Sequence, residues 1–112
     1  MAKVALLCPD LLFGSKLEGG LRAAGHEVTR YAGADDARAA AAASDVLVVD
    51  LTAEPDAGLA LGDVSEARTL AFYSHVEQDV RQRADEAGFD LVVPRSRMAR
   101  EMGALVERLA AS

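Results

Sequence analysis

The stretch from Ser44 to Thr52 reads SDVLVVDLT. Val46, Leu47, Val48 and Val49 form an unbroken apolar run, and Asp50 stops it. A strand that is apolar on both faces belongs inside a covered sheet, usually a parallel one with helices on either side. Asp50 then stands at the carboxyl end of that strand, the edge at which open α/β sheets bind ligands. Considered alone, Asp50 could equally be a solvated strand end, so its meaning depends on what the rest of the chain brings to that edge.

Working outward, Lys3 to Cys8 (KVALLC) reads as a short buried strand ended by Pro9, which cannot donate to a sheet ladder. A helix follows from near Leu11, with Phe13, Leu17, Leu21 and Ala24 on one face and Gly25 closing it. Gly19 and Gly20 each weaken this helix by about 1 kcal/mol, which points to a close approach to the sheet or a bend. His26 to Tyr31 alternates like an edge strand, with His26 a surface loop residue. Asp35 and Asp36 suit the positive end of a second helix running through Arg38 and the alanines 39–43. After the central strand, Pro55 and Gly58 mark a loop, and Leu59, Leu61 and Val64 a short helix interrupted at Gly62. Thr69 to Tyr73 is a fourth strand. Val76, Val80, Ala84 and Ala87 pattern a helix closed by Gly88. Asp90 to Val93 is a fifth strand ended by Pro94. Met98, Met102, Leu105, Val106 and Leu109 pattern the last helix.

Strands and helices in strict alternation predict a three-layer α/β/α sandwich around a five-stranded parallel sheet with right-handed crossovers. The order expected for five such units is 2-1-3-4-5, the flavodoxin-like order, with its switch point between strands one and three. The 112 residues read as a single domain, residues 1–112, with no linker or repeat. The net charge of −6 and the want of a basic patch argue against nucleic acid as a partner. The apolar run at the start is too short for a signal peptide or a membrane span, and a lone cysteine suits a reducing compartment. A cytoplasmic protein is the expectation.

Four polar residues fall just past strand ends on one edge: Asp10, Asp50, Ser74 and Arg95. Two carboxylates, Asp10 and Asp50, suit a weak Mg²⁺ site, because Mg²⁺ takes one or two carboxylates plus water and phosphate oxygens. The Ser74 hydroxyl and the Arg95 cation suit a phosphoryl group. An aspartate can itself accept one.

This layout resembles the receiver domain of bacterial response regulators. The resemblance covers nearly the whole chain, as topology and spacing more than identity. It implies that Asp50 is the phosphoacceptor, Asp10 one of the acidic metal-site residues, Ser74 the hydroxyl after strand four, and Arg95 the counterpart of an invariant lysine. Receivers act in two-component signalling and phosphorelays, so the implied partner is a protein: a kinase, a phosphotransfer protein or a target. The departures are substantial. Pro9 stands where the family pairs a second acid. Arg95 is not equivalent to lysine, being a planar fork rather than a compact ammonium. Ser96 replaces the family's proline, and a cis bond without proline costs about 2.5–4 kcal/mol, so a trans bond and an altered loop are expected. Val92 stands at the aromatic switch position. The implied reading is an atypical or pseudo-receiver. Its docking and dimerisation face would be built by helix four, strand five and helix five, exposing Glu77, Arg81, Arg97, Arg100 and Glu101. Arg95 is expected to reach Asp50.

Other readings are weaker. Cys8 between a strand and a helix resembles the phosphate loops of phosphocysteine transfer domains and small tyrosine phosphatases. However, Pro9 removes an amide, Asp10 repels anions, and Leu11, Leu12 and Phe13 are bulky. FMN, NAD and cobalamin are not expected, since the first loop has no phosphate cradle, GxGxxG or histidine. His75 is either a plain loop residue or a pH-sensitive group at the pocket edge.

Overall fold

A computed structural model describes residues 1–74 and 78–112 of the chain. His75, Val76 and Glu77 lie outside the described residues, so both readings of His75 and the place of Glu77 on a docking face lie outside them too. The elements are β1 (Lys3–Leu7), α1 (Leu11–Ala23), β2 (Glu27–Tyr31), α2 (Ala34–Ala41), β3 (Val46–Asp50), α3 (Pro55–Leu59), β4 (Arg68–Tyr73), α4 (Gln78–Ala87), β5 (Leu91–Pro94) and α5 (Arg95–Ala110). All four strand pairings are parallel, in the order β2-β1-β3-β4-β5, as the alternation predicts.

The central strand accounts for this architecture. Every residue of β3 is buried, and its side chains divide by parity between two cores. Val46 and Val48 join Leu6, Phe13, Leu17, Phe72, Met98 and Val106 on the face covered by α1 and α5. Leu47 and Val49 join Leu7, Ala37, Leu61, Ala71, Val80 and Ala84 on the face covered by α2, α3 and α4. Burial on both faces is what removes the polar alternation from the sequence.

Several local expectations need correction. Pro55 does not mark a loop: it occupies the first turn of α3, where its fixed φ and missing N–H cost nothing, and a 3-10 turn (Ala60–Asp63) continues the segment. His26 is not a surface residue: it is buried, and its Nδ1 accepts a hydrogen bond from the Ala2 amide at 3.1 Å. The close approach at Gly20 is to α5 and not to the sheet, since a Cβ there would stand 2.3 Å from the Met102 sulfur. Met102 is only half-buried, and α5 departs from helical geometry at its neighbour Glu101 (φ −123°, ψ 17°). Ala24 is an exposed cap instead of a core residue, with Gly25 just beyond it at φ +94°. Strand β5 runs from Leu91 and includes Pro94, which caps α5 directly, so no loop separates Arg95 from its helix. The peptide bond between Arg95 and Ser96 is trans.

Candidate functional site

The parallel register decides which side chains meet at the carboxyl edge. Val4 pairs with Val46, and Leu6 with Val48. One more step of two residues carries β1 to Cys8 and β3 to Asp50, on the same face of the sheet. Across β3 on its other side, Asp50 pairs with Phe72. Asp50 therefore sits between a thiol and an aromatic ring, and it is only 3% exposed.

A buried carboxylate must be satisfied by donors. Asp50 finds them within the chain. Its Oδ1 accepts from the Thr52 amide at 2.8 Å and from the Thr52 hydroxyl. Its Oδ2 accepts from the Cys8 thiol at 3.4 Å. The Thr52 bonds form an Asx-type turn, in which an aspartate ties down the backbone two residues on. The Cys8 thiol is pushed up to about 12 by its burial and then by the Asp50 charge, so it stays a protonated donor at neutral pH. A thiol in that state is a poor nucleophile, which disfavours the phosphate-transfer reading of Cys8.

Asp10 is engaged elsewhere. It caps α1, and its Oδ1 accepts from the Phe13 amide at 3.0 Å. Its Oδ2 lies 3.3 Å from the Arg95 guanidinium. The Phe13 amide and, secondarily, Arg95 hold the Asp10 carboxyl below its ordinary value. The expected pairing of Arg95 with Asp50 is thus replaced by one with Asp10. The physical reason is visible in the stacking: the Arg95 fork lies over the Phe13 ring, 4.0 Å from its centroid, on the first turn of the helix that Asp10 caps. Both Asp50 oxygens already accept hydrogen bonds within the chain. The Asp10–Arg95 pair is more than a third exposed on each side, so it orients Arg95 more than it stabilises the fold.

Ser74 directly follows β4, at the position that parity assigns to the same face as Phe72 and Asp50. Among the described residues no hydrogen bond joins it to Asp50. The edge therefore gathers Asp10 with Arg95, and Asp50 with Cys8 and Thr52, in two sets bridged by Cys8, whose sulfur also lies 3.8 Å from the Asp10 carbonyl oxygen. Sequence reasoning missed Cys8 and Thr52 as partners of Asp50. The signals were the two-residue spacing in Asp50-Leu51-Thr52 and the shared parity of Cys8 and Asp50.

These residues do not fit a resident Mg²⁺. A hard cation wants carboxylate oxygens aimed at one point with lone pairs to spare. Here one carboxylate is spent on a helix cap and a guanidinium, and the other on Thr52 and Cys8. Among the described residues no group of three or more His, Cys, Asp or Glu side chains converges as a cation site.

No protein-family model matches the sequence, and no curated protein does either. Solved structures do. The Francisella response regulator 1452 receiver domain superposes with a TM-score of 0.83 at 14% identity, over 99% of this chain and 98% of that one. The receiver domain of sensor histidine kinase PA1611 from Pseudomonas aeruginosa, which holds a magnesium ion in its active site cleft, gives 0.82 at 18%, over 99% and 98%. A response regulator from Burkholderia pseudomallei with a phosphorylated aspartic acid, a calcium ion and citrate gives 0.77 at 22%, over 99% of this chain and 69% of that one. The chain has the fold of response regulator receiver domains, with Asp50 at the end of its central strand.

Proposed function

We propose that residues 1–112 form a receiver-like signalling module that acts in the cytoplasm by docking to a protein partner, with a degenerate phosphorylation site. The observation that carries this reading is the state of Asp50. Both of its oxygens accept hydrogen bonds from donors of the same chain, and those bonds lower the nucleophilicity that a phosphoacceptor needs. Val92, with no ring to turn, supports the same reading. So does Arg95, which is held over Phe13 away from Asp50. The docking face on α4, β5 and α5 carries charges that are partly paired within each helix: Arg81 with Asp85 at 4.0 Å and Arg97 with Glu101 at 3.3 Å. Arg100 is exposed on it. Such a mixed surface suits a transient contact or a symmetric homodimer. No helix among the described residues is long and apolar enough to cross a membrane.

The second reading, a phosphoaccepting single-domain regulator using Asp50 and Mg²⁺, is favoured by the position of Asp50 alone. Incubation with acetyl phosphate and Mg²⁺, followed by intact-mass measurement of the wild type and of Asp50→Asn, separates the two. No phosphate adduct on either protein is the expected result. An adduct on the wild type that disappears in Asp50→Asn would establish the second reading.

A further inference from the structure

We infer that Cys8 is the residue that closes this edge of the sheet, at Asp50, to divalent cations. The inference rests on the degenerate-site reading above and adds its cause. Three observations lead to it. Continued one residue past its last pair, Leu7 with Val49, the register sets Cys8 opposite Asp50, and its thiol contacts Oδ2 at 3.4 Å, so the thiol stands where a carboxylate just past β1 would face Asp50. The remaining oxygen, Oδ1, is filled by the Thr52 amide and hydroxyl. The neighbouring carboxylate that could have substituted, Asp10, is turned to the Phe13 amide and to Arg95.

The chemistry follows from charge count. A cation entering here would face one carboxylate, already hydrogen-bonded, and a neutral thiol. It would have to compete with the Cys8 and Thr52 donors and shed water for a single negative charge. Mg²⁺ dehydrates reluctantly, so this exchange is unfavourable. An aspartate at position 8 reverses the balance. Two carboxylates face to face repel each other, and a divalent ion between them relieves that repulsion while gaining a second anionic ligand. Cys8 is thus a positioning residue: it holds Asp50 as a finished internal hydrogen-bonding unit with no need of a metal.

The test is thermal unfolding and calorimetry of the full chain with MgCl₂, for the wild type, Cys8→Asp, Cys8→Ser, and Cys8→Asp combined with Asp50→Asn. Expected are no saturable Mg²⁺ binding in the wild type or Cys8→Ser and, in Cys8→Asp, an affinity higher by about tenfold or more with a Tm that rises with Mg²⁺. That gain should vanish in the double variant. Saturable Mg²⁺ binding to the wild type that Asp50→Asn removes would overturn the inference. So would a folded Cys8→Asp variant that ignores Mg²⁺. Should Cys8→Asp fail to fold in either condition, the Thr52 amide resonance decides. It should stay in place in Cys8→Ser, which keeps a donor to Asp50, and move in Cys8→Ala; equal behaviour of the two overturns the inference. Magnesium binding to the wild type without an acetyl phosphate adduct would defeat this inference and leave the docking reading standing.

Discussion

Replacing Phe72 with alanine is expected to lower the free energy of unfolding by about 3–5 kcal/mol, the range for removing a fully buried aromatic ring. Phe72 is 0% exposed and lies on β4 beside Asp50. Its ring meets Phe13 at a centroid distance of 5.3 Å, tilted by 57°. Phe13 in turn carries the Arg95 guanidinium, and Arg95 pairs with Asp10. Loss of the Phe72 ring should therefore do two things at once. It opens a cavity in the α1/α5 core, and it removes the support under the platform on which Arg95 rests. Urea denaturation measures the first effect, and the side-chain resonance of Arg95 reports the second. A loss below about 1 kcal/mol would mean that the core collapses around the site far more completely than native packing density allows.

Replacing Gly88 with alanine should cost about 1–3 kcal/mol in backbone strain, before any clash is counted. Gly88 has φ +106°, and a Cβ there would stand 2.8 Å from the Gly62 carbonyl oxygen. Gly62 is itself packed against the Ala87 backbone, since a Cβ on it would stand 2.5 Å from the Ala87 carbonyl oxygen. The two glycines together let the 3-10 turn after α3 close on the end of α4. Gly19 is the matching control: it is exposed in the middle of α1 with open space beside it, and alanine there should stabilise by up to about 1 kcal/mol. Thermal unfolding of both variants gives the comparison. A Gly88→Ala protein as stable as the wild type would show that the packing of the 3-10 turn on the end of α4 does not constrain residue 88.

The fold was legible because its strongest signals are local. The run from Val46 to Val49 shows its burial on both faces directly as a missing alternation, and the five strand–helix alternations leave few topologies to choose among. The candidate site was legible only as an edge. That Asp10, Asp50, Ser74 and Arg95 come to the carboxyl ends of strands follows from strand boundaries alone. Which of them touch depends on register and on side-chain direction, and neither is written in any single stretch of sequence. Cys8 meets Asp50 through a pairing between residues far apart in the chain. Arg95 leaves Asp50 for Asp10 because a ring on α1 offers it a stacking surface. The burial of His26 is hidden for a related reason: its hydrogen-bond partner, the Ala2 amide, is far from it in the chain, and no apolar pattern marks it. Gly20 pointed to a close approach to the sheet or a bend, and only the tertiary structure identifies Met102 on α5 as the side chain that needs the space.

The face built by α4, β5 and α5 is expected not to respond to chemistry at Asp50. A ligand shifts a two-state element only through its differential affinity for the two states. On the proposed reading Val92 offers no ring to carry a change outward, and the donors around Asp50 are already engaged. Amide NMR of the full chain, titrated with Mg²⁺ and beryllofluoride, measures this directly. Shifts confined to the residues around Asp10, Asp50 and Ser74, or no shifts at all, are the expected result. Large shifts running out through α4, β5 and α5 would contradict it and make the domain a working phosphorylation switch.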